Sequence, residues 1–76
     1  MKVGAKIVRQ LMTEKDIADN GTVTGKSFDL YDIQDLIANA TGWQVSHASL
    51  RLAMNQGIRD GYFLYEVKND GYSVNE

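Results

Sequence analysis

Between Gly21 and Ser27 the chain reads GTVTGKS, whose Gly-Lys-Ser ending belongs to loops that wrap a phosphate with successive backbone N–H groups. That mechanism needs G-x-x-x-x-G-K-S after a strand. Here the first glycine stands one residue too close, the segment follows a predicted helix, and so short a chain has no parallel sheet to support it. Both glycines are read as turn formers, and nucleotide hydrolysis is not expected. Asp16-Ile17-Ala18-Asp19-Asn20-Gly21 echoes a calcium loop, but Ala18 takes the third ligand position and Ser27 the twelfth, where a glutamate belongs. Asn39-Ala40-Thr41 is a glycosylation acceptor only in a secreted chain. His47 is the sole histidine and there is no cysteine, so neither a histidine cluster nor a thiolate zinc site can be assembled. A serine nucleophile would need a strained elbow and partners that this sequence does not suggest. The chain is therefore read as non-enzymatic, with no cofactor and no metal.

The remaining polar residues take meaning from the elements that carry them. In FDLYDIQDLIANA, Leu30, Ile33, Leu36 and Ile37 recur at three- and four-residue steps, the spacing of one buried helical stripe. Asp29 can cap this helix, with Asp32 in its first turn, and Gly42 supplies the stop. After the turn TGWQV, Ser46 is a natural cap for a helix through SHASLRLAMNQGIRDG, with Leu50, Ala53, Met54 and Ile58 inward and Gly57 or Gly61 as its end. The period then changes. YFLYEVK is rich in strand formers, Asn69-Asp70-Gly71 signals a tight turn, and YSVN returns, which makes a hairpin. Upstream, AKIVRQLMTEKDIAD fits an opening helix with Ile7, Val8, Leu11, Met12, Ile17, Ala18 and the Lys15 stem on one side. The polar NGTVTGKS reads as a loop, and KSFDLY offers a short strand that pairs with the hairpin.

The chain has 76 residues, enough for one domain whose aliphatic and aromatic content builds a core without disulfides. No apolar run approaches the roughly 18 residues that cross a bilayer, and MKVGAKIVRQ lacks the continuous apolar stretch of a secretion signal. No membrane association and a cytoplasmic location are expected. Net charge is −2, which argues against strong non-specific affinity for nucleic acid, since that comes from Lys and Arg neutralising phosphates. Its distribution matters more. Lys2, Lys6, Arg9 and Lys15 crowd the first helix, Arg51, Arg59 and Lys68 fall in the last helix and hairpin, and acids gather at Asp16, Asp19, Asp29, Asp32 and Asp35.

Taken together, DIQDLIANATGWQVSHASLRLAMNQGIRDGYF resembles the winged helix-turn-helix family over its run from second helix to wing, with Gly42 at the turn, Val45 as its apolar residue and Ser46 opening the recognition helix. The resemblance covers most of the chain. It implies an α+β fold of three helices with a C-terminal β-hairpin wing, and a transcriptional regulator or accessory factor that reads duplex DNA with the helix from about Ser46 to Gln56. On that basis Gln44, His47, Ser49, Arg51, Leu52 and Asn55 face the major groove. Arg51 suits guanine, Gln44 or Asn55 suits adenine and Ser49 suits phosphate, while Lys68, Asn69 and Tyr72 present the wing to the DNA backbone. A dimer is expected, because one lean, acidic module binds weakly alone.

A rival reading keeps the fold and changes the partner. Trp43 sits in the turn, and alternation divides Phe63, Tyr65 and Val67 from Tyr62, Leu64 and Glu66, so one row packs inward and the other leaves an exposed apolar strip. Trp43, Tyr62 and Tyr65 would then grip a protein, as in a viral, phage-like or mobile-element accessory factor. Arg51, Lys68 and the first-helix basics gathered on one face favour DNA, whereas an exposed aromatic strip with acids nearby favours the protein partner.

Overall fold

The local signals in the sequence form the helix boundaries of the computed structural model, which describes residues 4–76. The carboxylate of Asp29 accepts from the Asp32 N–H at 2.8 Å and the Asp32 carboxylate accepts from the Asp29 N–H at 3.2 Å, a reciprocal cap that starts helix α2 (Leu30–Thr41). Gly42 ends it at φ 78°, where a side chain would strain the backbone, and its N–H donates to the Ala38 carbonyl. Ser46 caps α3 (His47–Arg59) by accepting from the Ser49 N–H. Ahead of both runs α1 (Ala5–Asn20), and after them an antiparallel hairpin joins β1 (Phe63–Glu66) to β2 (Gly71–Val74). The order is that of a winged helix.

Val8 and Met12 of α1, Leu30, Ile33 and Ile37 of α2, Leu50 and Met54 of α3, and Phe63 and Tyr72 of the hairpin form one core, closed by Phe28 and Val45. Fully burying a side chain of this kind is worth about 1.5–3 kcal/mol, against about 1 kcal/mol for a cap, so the packed faces hold the fold and the caps set its boundaries.

Four expectations are corrected. The short strand before α2 does not form: only Phe28 pairs, through two N–H···O bonds of 2.7 Å with Tyr72, because Asp29 next to it is already committed to capping. Gly57 does not end α3. It lies inside the helix against Phe63, and the stop falls after Arg59, with Asp60 as the cap residue and Gly61 at φ 81°. The hairpin turn is also longer than the Asn69-Asp70-Gly71 signal suggests, running over Val67–Asp70 with Asp70 at φ 47°.

The fourth correction concerns α1, where Ile7 and Ile17 are about half exposed and the buried line runs from Val8 through Met12 to Asp16. Asp16 is the one buried acid among the described residues. It faces inward because the loop after α1 folds back over it: its carboxylate accepts from the Thr24 hydroxyl and N–H, both at 2.7 Å, the Gly25 N–H at 3.2 Å and the Asn20 amide at 2.8 Å. Burial alone would raise its pKa, yet the donors of Thr24, Asn20 and Lys26 outweigh that and hold the carboxyl well below the ordinary 3.8. The loop GTVTGKS is thus an anchored connection, pinned from below by one carboxylate.

Candidate nucleic-acid interface

With Leu50, Met54 and Gly57 turned to the core, α3 leaves Ala48, Leu52, Asn55 and Arg59 outermost, flanked by Arg51 on one side and by Ser49 and Gln56 on the other. Leu52 is 73% exposed. The helix carries Arg51 and Arg59 and no Asp or Glu. Neither arginine forms an ion pair with another described residue, so both charges face solvent.

On the Ser49 side, α3 borders a cleft of about 990 Å³ lined by the apolar residues Trp43, Val45, Leu52, Ala53 and Ala5 and by the polar residues Gln44, Ser46, Ser49, Asn55, Gln56 and Arg59. Trp43 is 36% exposed there, held where the Thr41 hydroxyl accepts from its N–H. The turn's course is fixed from beneath, since the Gln34 amide donates to the Val45 carbonyl at 2.7 Å. Gln44, Ser49, Asn55 and Trp43 are therefore brought together on one surface.

On the opposite flank stands Arg51, whose positive charge is the smallest of the influences on the Tyr65 hydroxyl of the wing. Tyr65 donates its hydroxyl to Asp70 at 2.6 Å, a bond that raises its pKa above the ordinary 10.0. Lys68 and Asn69 are exposed at the wing tip, and the Asn69 amide donates to Glu66 at 2.9 Å.

Three other assigned residues are less exposed. Tyr72 is 2% exposed, with its ring 5.2 Å from that of Tyr65, so it packs on the helices and cannot meet a DNA backbone. Its N–H and C=O are spent on Phe28. His47 is half-buried, its ring edge-on to Tyr31 at 4.4 Å, where it stitches α2 to α3. Tyr62 is half-buried as well, lying edge-on to Phe63 and beneath the Arg9 guanidinium. The exposed apolar and aromatic residues of the wing are Leu64, Tyr65 and Val67, drawn from both of the expected rows.

The first-helix basics also have other work. Arg9 donates to the Asn75 carbonyl at 3.1 Å, holding the C-terminal end of the chain to α1. Lys15 and Lys26 both pair with Asp19, at 3.1 and 3.0 Å, and hold its carboxyl below the ordinary value. Lys6 lines a separate depression with Arg9 and Tyr62, and Lys2 lies outside the described residues. Gln56 and Arg59 join the α3 surface because the helix continues through Gly57, and the repeat Ser49, Ala53, Gln56 was the signal that could have placed them there.

The chain matches no family model, no curated protein sequence and no solved structure. No helix among the described residues is long and apolar enough to cross a membrane.

Proposed function

We propose that this is a small winged-helix DNA-binding protein, a cytoplasmic transcriptional regulator or accessory factor that acts as a homodimer and sets α3 into the major groove. One observation carries the reading: α3 bears two exposed arginines that pair with no other described residue, and no acid, in a chain whose net charge is −2. The acids lie outside α3, on α1 and α2, at Asp60 just past its end, and at Glu66 and Asp70 beside Lys68 on the wing. Arg51 and Arg59 supply the positive helix, Lys68 and Asn69 supply a wing contact, and Gln44, Ser49 and Asn55 supply donors and acceptors for base edges and phosphate. Chemistry on the DNA is no part of the proposal.

Fluorescence anisotropy against random-sequence duplex at low and moderate salt tests it, with light scattering to give the mass in solution. Salt-sensitive binding that Arg51→Ala weakens is the expected result, and no binding at low salt would overturn the reading.

The exposure of Trp43 and Tyr65 favours a second reading, in which the same fold grips a protein through Trp43, Tyr62 and Tyr65. Under that reading Arg51→Ala leaves function intact and Tyr65→Ala damages it.

A further inference from the structure

The outward line of α3 contains one residue that neither core packing nor phosphate binding explains. Leu52 is 73% exposed, although the inward face of the helix is already filled by Leu50 and Met54. It sits one turn from Ala48 on one side and from Asn55 on the other, between the two arginines of the helix. Water is a poor neighbour for such a side chain, and the charge around it is positive.

We infer that Leu52 reads the 5-methyl group of thymine, with Asn55 reading an adjacent adenine, so that the centre of α3 prefers A·T pairs. The inference rests on the duplex-binding reading above. Charge selects the occupant: a helix with Arg51 and Arg59 and no acid before its Asp60 cap suits a polyanion, and the thymine methyl is the apolar group that a polyanion presents in its major groove. Asn can bond both N6 and N7 of adenine in a bidentate fashion, and residues three apart on a helix lie about 5–6 Å from one another, within reach of neighbouring base pairs. Ala48, small and exposed one turn earlier, leaves room for the methyl to approach.

The test uses a short alternating A·T duplex, the same duplex with deoxyuridine for thymidine, and a G·C duplex of equal length. Uracil keeps every hydrogen-bonding group of thymine and removes only the methyl. The wild-type protein is expected to prefer A·T over G·C and to bind the deoxyuridine duplex about fourfold less tightly for each methyl contacted, the value of one buried carbon group. Leu52→Ala, which alters an exposed position and should melt like the wild type, is expected to bind both A·T duplexes equally. Equal wild-type affinity for the thymine and uracil duplexes would overturn the inference while leaving the DNA reading in place. So would a methyl effect that persists in Leu52→Ala, since it would then act through duplex shape. Failure to bind any duplex at low salt would overturn both readings.

Discussion

Gly57 and Phe63 share one volume: a methyl group built on the glycine would overlap Cδ2 and Cε2 of the phenylalanine ring and press on Ala5 of α1. This contact locks α3, β1 and the start of α1 together. In an ordinary exposed helix, Gly→Ala is stabilising by about 1 kcal/mol. Here Gly57→Ala is expected to cost about 1–3 kcal/mol instead, because the ring must leave its place in a filled core. Urea unfolding followed by circular dichroism checks the sign, and a stabilised variant would show that Phe63 has somewhere else to go.

Asp16 makes stability depend on acid. Its folded pKa lies below its unfolded value, so its contribution is present above the ordinary 3.8 and is lost as pH falls through the range beneath it. Asp19 shifts the same way for a different cause, the bonds from Lys26 and Lys15. The melting temperature of the wild type is therefore expected to hold near neutral pH and to fall steeply below about 4. Asp16→Ala leaves the N–H groups of Thr24 and Gly25 without their acceptor, and should melt lower by on the order of 10 °C with a flatter acid limb. If the variant kept the wild-type acid profile, the proton would be binding elsewhere.

Elements set by neighbours in sequence are legible in the sequence itself. Asp29, Ser46 and Gly42 act within one turn of themselves, and the α2 stripe follows from spacing alone. What failed depended on distant chain. Nothing near Asp16 announces that a loop will return over it, so Ile17 looked like the better core residue. Of the two glycines that could end α3, the sequence does not choose Gly61 over Gly57, because the ring that requires Gly57 lies six positions on, in another element. Alternation did not divide the wing as expected: of β1 only Phe63 is buried, and Tyr65 and Val67 of the same row are exposed alongside Leu64. In the site, spacing placed Ser49, Leu52 and Asn55 on the outside of α3, whereas the ties of Arg9 to Asn75 and of Lys15 and Lys26 to Asp19 come from tertiary geometry and helix-surface neighbours.

The bond from Tyr65 to Asp70 gives the wing its own signature at high pH. It raises the tyrosine pKa, so its stabilising effect is complete below the ordinary 10.0 and is lost as pH rises beyond that. In a phenolate absorbance titration, one component is expected to lag behind the others and to vanish in Tyr65→Phe. The same substitution should leave the global melting curve almost unmoved, since the bond lies on the exposed wing. A lagging component that survives Tyr65→Phe would assign the shift to another tyrosine.

Salt dependence can separate charges that face DNA from charges that merely decorate the surface. If Arg51, Arg59 and Lys68 each neutralise a phosphate, the logarithm of affinity should fall against the logarithm of salt with a slope of roughly −3 per protomer, and about twice that for a dimer with both helices engaged. Lys68→Ala is expected to make the slope shallower by about one per protomer while weakening all sequences alike, as a backbone contact does. Lys15→Ala is the control, because its ammonium is tied to Asp19 on α1 and has no part in the α3 surface. The slope should not change. An equal loss from Lys15→Ala and Lys68→Ala would mean that the duplex meets the whole protein as a diffuse charge, and that α3 and the wing hold no privileged place in binding.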